Sequence, residues 1–235
     1  ENQQLEDRSL IYMTQMTKVP APVALRQTQR EITRMGHIAA DNLKRALDCF
    51  FHYSASKAAS VRSHEESVNI LNHLIADAMV ELRTLDLSPE SMRRVSMMTI
   101  AVTDIERLSD HAENIVEYIE QMNAKKAEMS EAARKELLDM SQDAMDAVYL
   151  ALDIFEKDDY SKLDQIEILE QHVDDHEKDL INNHIERIMN SMCNPLGGVI
   201  FSDLVTDLER CSDHAINLAY ALKERPSELD APKLV

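Results

Sequence analysis

Two stretches decide the fold: "TDIERLSDHAENI", from Thr103 to Ile115, and "TDLERCSDHAINL", from Thr206 to Leu218. Thr, Asp, Glu, Arg, Ser, Asp, His, Ala and Asn recur in register, so a single segment has been written twice. A second likeness lies upstream. "MGHIAADNLKRALDCF" (Met35 to Phe50) matches "MSQDAMDAVYLALDIF" (Met140 to Phe155), and "EESVNIL" (Glu65 to Leu71) matches "EQHVDDH" (Glu170 to His176). The register slips by two residues between these matches and the final motif. That slip falls where loops differ, at "LDLSPES" in one half and "MCNPLGG" in the other. The chain is therefore an internal duplication of a unit of roughly 100 residues.

Each unit carries three long patterns of apolar residues at spacings of three and four, the period of an amphipathic helix. In the first unit they cover Val23–Tyr53, Ala58–Thr84 and Glu90–Asn123; in the second, Ser130–Lys157, Lys162–Met192 and Leu196–Lys223. Ser88-Pro89 and Asn194-Pro195 each place a capping side chain before a proline in the first helical turn, so both third helices start on the same signal. "KVPAPV" (Lys18 to Val23) separates the N-terminal segment from the first helix, because two prolines remove donors and restrict their neighbours. The predicted architecture is all-α, with two tandem three-helix bundles. Its parts are a lead-in at 1–21, bundles at 22–126 and 127–225, and a tail at 226–235.

Composition agrees. Of 235 residues 44% are hydrophobic, enough for a core, while 3 glycines, no tryptophan and 4% aromatics are unlike a β protein. The net charge of −18 repels phosphate backbones and anionic lipid, which sets nucleic-acid and polybasic membrane binding aside and favours cations. Three cysteines (Cys49, Cys193, Cys211) without a C-x-x-C pair suit a reducing, cytoplasmic compartment. No apolar run approaches the ~18 residues that cross a bilayer, so direct insertion is not expected.

The chemistry sits on the third helices. Ile105, Leu108, Ala112, Ile115 and Ile119 form one apolar seam; Leu208, Cys211, Ala215 and Leu218 form the other. Beside each seam lies a Glu-x-x-x-Asp pair, Glu106 with Asp110 and Glu209 with Asp213. Residues four apart on a helix project within about 6 Å of each other, so like charges repel unless something offsets them. A bound cation does so, since carboxylate oxygens are hard ligands. The second helix of the second unit adds Glu170 and Asp174, with Glu177 one turn on. One such pair on an acidic helix is ordinarily a solvated face; two copies within the best-preserved part of the repeat point to a site. No histidine follows a glutamate at Glu-x-x-His spacing, which excludes a ferritin-like di-iron centre. No H-E-x-x-H, P-loop, G-x-S-x-G or spaced zinc set occurs, and no nucleophile stands beside a base in the sequence. His111 and His214, about 100° around the helix from the acidic pair, read as flanking groups. An enzyme is not expected.

The doubled "IERLSDHAENI" and "LERCSDHAINL" on third helices of tandem bundles resemble the PhoU family of phosphate-uptake regulators, over about residues 22–225. The resemblance implies multinuclear iron or zinc held by E(D)xxxD motifs, here Glu106, Asp110, Glu170, Asp174, Glu209 and Asp213. The first unit departs from the pattern: Asn69 and Asn72 stand where the second has Asp174 and Glu177. The lead-in "LEDRSLIYMTQMTKVPAPVALRQTQREITRM" is similar to the segment after the membrane part of bacterial sodium–phosphate cotransporters, and a start at Glu1 rather than Met agrees with an excised piece. The resemblance thus implies a cytoplasmic regulatory domain of such a cotransporter, at the inner face of the membrane, with the transporter's membrane domain as partner and homodimerisation open. The alternative is a stand-alone regulator acting on an ABC phosphate transporter and a sensor kinase; a helical scaffold without metal is a third reading.

Overall fold

A computed structural model describes residues 8–13, 16–190 and 193–223. Among these, six long helices follow in order: α1 (Ala21–Phe51), α2 (Ala55–Leu82), α3 (Pro89–Lys125), α4 (Glu131–Lys157), α5 (Leu163–Met189) and α6 (Pro195–Tyr220). Single 3-10 turns at Met16–Lys18 and Tyr160–Lys162 precede α1 and α5, and no strand occurs among the described residues. The predicted tail at 226–235 and the predicted last residues of the fifth helix, 191 and 192, lie outside the described residues.

Helix starts follow local chemistry. Ser88 and Asn194 cap α3 and α6 as their sequences predict, accepting from the N–H groups of Ser91 (3.1 Å) and Gly197 (3.1 Å). Ser54 and Ser130 cap α2 and α4 in the same way. α1 begins two residues earlier than its apolar pattern, at Ala21. Pro22 then falls in the first turn, where a missing N–H leaves no helical bond unmade. Lys126 caps the C-terminus of α3 and Asp158 that of α4, both left-handed (φ 52° and 54°).

α1, α2 and α3 pack as one bundle and α4, α5 and α6 as the other. The two bundles meet through their corresponding helices, α1 on α4 and α3 on α6. The interior is continuous across that junction, with Phe50, Phe155 and Phe201 almost fully enclosed. Burying a side chain of this size contributes roughly 1.5–3 kcal/mol. α3 buries Val95, Met98, Val102, Ile105, Leu108, Ala112, Ile115 and Ile119, at the three- and four-residue spacing that its sequence shows. Gly36 lets the bundles approach: a Cβ there would lie 2.4 Å from Leu152 and 3.3 Å from Ile105. The junction is also bonded. Gln29 donates to the Phe155 carbonyl (2.6 Å), and Arg134 to the Phe51 carbonyl (2.9 Å).

The duplication extends to ion pairs that close one helix onto the next. Asp48 pairs with Lys57 (2.6 Å) in the first unit, and Asp153 with Lys162 (2.5 Å) at the same place in the second. Lys57 holds the Asp48 carboxyl, and Lys157 and then Lys162 hold the Asp153 carboxyl, below the usual carboxylate range. Ahead of α1, the N–H groups of Ile11 (2.8 Å) and Tyr12 (2.5 Å) donate to buried Glu31, while Met13 and Met16 enter the core.

Candidate metal-binding faces and the junction between repeats

The thirteen-residue motif presents two faces. One, carrying the Glu-x-x-x-Asp pair, turns toward the second helix of its own bundle. The other, carrying Asp104 and His111 or Asp207 and His214, turns toward the opposite repeat.

In the second unit the four predicted acids lie on α5 and α6 within electrostatic influence of one another. Glu170 on α5 is pushed above the usual carboxylate range by burial first, then by Asp174 and Asp213. Glu209 on α6 is pushed up by burial, then by Asp213, with Glu177 and Asp174 adding to it. Arg210, 60% exposed and 3.5 Å from Glu209 and 3.7 Å from Asp213, offsets only part of this. Exposed pairs of this kind contribute little.

The first unit assembles a different set. Glu106 is pushed up by burial and by Asp110, and partly relieved by Arg107 and His73. Glu65 on α2 is pushed up by burial and by Glu113 on α3, and less by Asp110. The Asn69 amide donates to Glu65. Asn69 therefore binds Glu65, whereas its counterpart Asp174 repels Glu170. Among the described residues no three acidic, histidine or cysteine side chains stand close enough to enclose an ion as placed. Both faces nevertheless present half-buried carboxylate oxygens with little countercharge, the donor chemistry of a hard cation.

The inward face was not legible as a site. His111 Nδ1 lies 3.0 Å from Asp207 Oδ1, and His214 Nδ1 lies 2.9 Å from Asp104 Oδ1. Residue 104 faces 214 while 111 faces 207, so α3 and α6 run in opposite directions where they meet. The two imidazole rings are 5.8 Å apart between centroids. The exchange is not fully symmetric. Tyr118 donates from its hydroxyl to Asp207 Oδ2 (2.9 Å), whereas Asp104 Oδ2 is buried with no protein partner among the described residues. The residue that corresponds to Tyr118 in the second unit is Ala221, which has no hydroxyl to give. The available signal was the seven-residue separation of Asp and His, two helical turns, which places both on one face. A cleft of about 600 Å³ opens beside this junction, lined by Arg107, Asp110, His111, Arg210 and His214 among others.

A duplicated three-helix bundle, with acidic pairs beside the second helix of each half and Asp–His pairs joining the halves, defines the class. The PhoU domain model matches residues 32–119 and again 137–222, and the chain belongs to the PhoU family. The fold is similar to that of PhoU from Pseudomonas aeruginosa, with a TM-score of 0.77 at 18% identity, over 94% of this chain and 96% of that one. It is also similar to the phosphate transport system regulatory protein PhoU from Streptococcus pneumoniae (TM-score 0.77, 18% identity, 86% and 95% covered). A PhoU-like phosphate regulatory protein from Shewanella oneidensis gives a TM-score of 0.61 at 14% identity, over 83% and 96%. No curated protein matches the chain in sequence.

Proposed function

We propose that the chain is a non-enzymatic regulator of phosphate transport, acting in the cytoplasm as a PhoU-type protein on a phosphate transporter complex and its sensor kinase. The observation that carries this reading is the tandem match to the PhoU domain. The likeness of fold to PhoU proteins from Pseudomonas aeruginosa and Streptococcus pneumoniae supports the PhoU-type reading. No helix among the described residues is long and apolar enough to cross a membrane.

A second reading, the cytoplasmic domain of a sodium–phosphate cotransporter, draws on the segment before α1. That segment is fastened to the first bundle through Glu31, Met13 and Met16. Apolar spans encoded upstream of Glu1 would select it.

In either form, Glu170, Asp174, Glu209 and Asp213 would hold a metal ion, iron or zinc, on the second bundle, with Glu106 and Asp110 forming a poorer set on the first. The ion would supply positive charge to a face whose carboxylates raise one another's pKa.

The test of function is deletion of the gene with measurement of phosphate uptake, joined to affinity purification from membranes with mass spectrometry. Altered uptake and recovery of phosphate-transporter subunits is the expected result. Unchanged uptake with no transporter subunit recovered contradicts the proposal.

A further inference from the structure

The Asp–His exchange at the junction fixes which nitrogen of each imidazole carries the proton. An ionised carboxylate only accepts, so the ring nitrogen that faces it must donate. Nδ1 of His111 therefore donates to Asp207, and Nδ1 of His214 donates to Asp104. In a neutral imidazole the second nitrogen then carries the lone pair. Among the described residues neither Nε2 bonds to protein, and neither is a buried atom without a partner. Both rings line the cleft of about 600 Å³, and their side chains are 14% and 20% exposed. Both lone pairs are thus open to the water of the cleft.

The two donors come from opposite repeats. Their ring centroids lie 5.8 Å apart, with the planes inclined by 36°. Two imidazoles on one tetrahedral zinc ion, with Zn–N of about 2.1 Å, hold their centroids roughly 5 Å apart. The observed spacing is close to that value, and a small side-chain rotation closes the remainder. A carboxylate behind the ring is also the usual partner of a metal-binding histidine, since it orients the imidazole and strengthens the other nitrogen as a donor.

Asp104 supplies an independent sign. It is 8% exposed, and its Oδ2 is buried with no protein partner among the described residues, so part of its charge is uncompensated. The two guanidinium groups of the cleft do not answer it. Arg107 stands 3.6 Å from Asp110 and Arg210 stands 3.7 Å from Asp213, each on its own helix.

We propose that Nε2 of His111 and Nε2 of His214 together bind one borderline divalent cation, of the class of zinc, at a site separate from the acidic faces. Imidazole suits zinc, nickel and copper, whereas magnesium and calcium take oxygen ligands. No third acidic, histidine or cysteine side chain is placed to join the pair, so water in the cleft fills the other positions. The ion ties α3 of the first bundle to α6 of the second. Asp104 and Asp207 act as positioning residues behind the two rings.

The experiment is zinc titration of the full, isotopically labelled chain, read by NMR of the imidazole nitrogens. The Nε2 signals of His111 and His214 are expected to move together with a single midpoint, while their Nδ1 signals remain those of protonated nitrogens. Magnesium at the same concentration moves neither. Asp104→Asn lowers the zinc affinity read at both rings about tenfold or more, the scale on which lost outer partners weaken metal sites. His214→Gln lowers the affinity read at His111 by at least as much. Nε2 signals that stay fixed in a large molar excess of zinc, or that move with separate midpoints, overturn the proposal. That result is read on the parent protein and stands even if a variant fails to fold. Zinc taken up by the acidic faces alone, with the junction signals fixed, overturns this site and leaves the reading of those faces intact.

Discussion

His111 of the first repeat and Asp207 of the second meet at 3.0 Å, and His214 and Asp104 make the reverse exchange at 2.9 Å. Each half thus supplies the acid for the other's imidazole. Both aspartates are 8% exposed, so little water competes for these bonds. A buried hydrogen bond to a charged group contributes roughly 1.5–3 kcal/mol, and an orphaned buried oxygen costs about as much. Asp207 has both oxygens engaged, while Asp104 has one without a partner. Asp207→Ala is therefore expected to destabilise the fold more than Asp104→Ala, by ~1 kcal/mol in chemical denaturation. A His111→Ala/Asp207→Ala double-mutant cycle should show coupling of ~1 kcal/mol or more. Zero coupling would mean that the pair is incidental.

Glu209 gives a pH dependence of definite sign. Its folded pKa lies above the ordinary value of 4.5, so between the two the folded state holds more protons than the unfolded chain. Stability from this group is greatest at low pH and declines as pH rises through its folded pKa. In metal-free protein, Glu209→Gln should raise stability at pH 7 by about 0.3 kcal/mol or more, the scale of one like-charged i,i+4 pair. The difference should close near pH 4, where the native glutamic acid is also protonated. Thermal denaturation at both pH values reads it.

Gly197 fixes the entry of α6. A Cβ at this position would lie 2.5 Å from the Glu128 carbonyl oxygen, which is backbone and cannot rotate away. Gly197→Ala should destabilise by roughly 1–3 kcal/mol despite the better helix propensity of alanine. An unchanged melting temperature would contradict the close approach.

Asn69 separates the two acidic faces, since its amide binds Glu65 where Asp174 repels Glu170. Asn69→Asp should destabilise the metal-free protein slightly, about 0.3 kcal/mol, by adding a like charge four residues from Glu65. The same variant should gain metal on the first bundle, read by elemental analysis against the parent.

The fold was legible because its signals are local and doubled. Apolar spacing located six helices to within three residues at their starts, and Ser88 and Asn194 marked two of those starts by side-chain chemistry that acts within one turn. The packing of helices two and three within one unit, which sets Glu170 and Asp174 under the electrostatic influence of Asp213 and Glu209, also followed from pattern. The junction did not. Asp104 meeting His214 depends on how one bundle lies on the other, and that is set by distant features such as Gly36 against Leu152. The contact between Cys193 and His184 was hidden for a similar reason: nine residues and a helix break separate them, so only the return of the chain at Asn194 brings them together.

Metal binding by the acidic faces is the central claim, and calorimetric titration of metal-free protein tests it most directly. Ferrous iron, under anaerobic conditions, and zinc are each titrated into the parent, Glu209→Ala/Asp213→Ala and Glu106→Ala/Asp110→Ala. The first variant is expected to lose the tightest binding event and the second to keep it. Equal binding by all three proteins would contradict it.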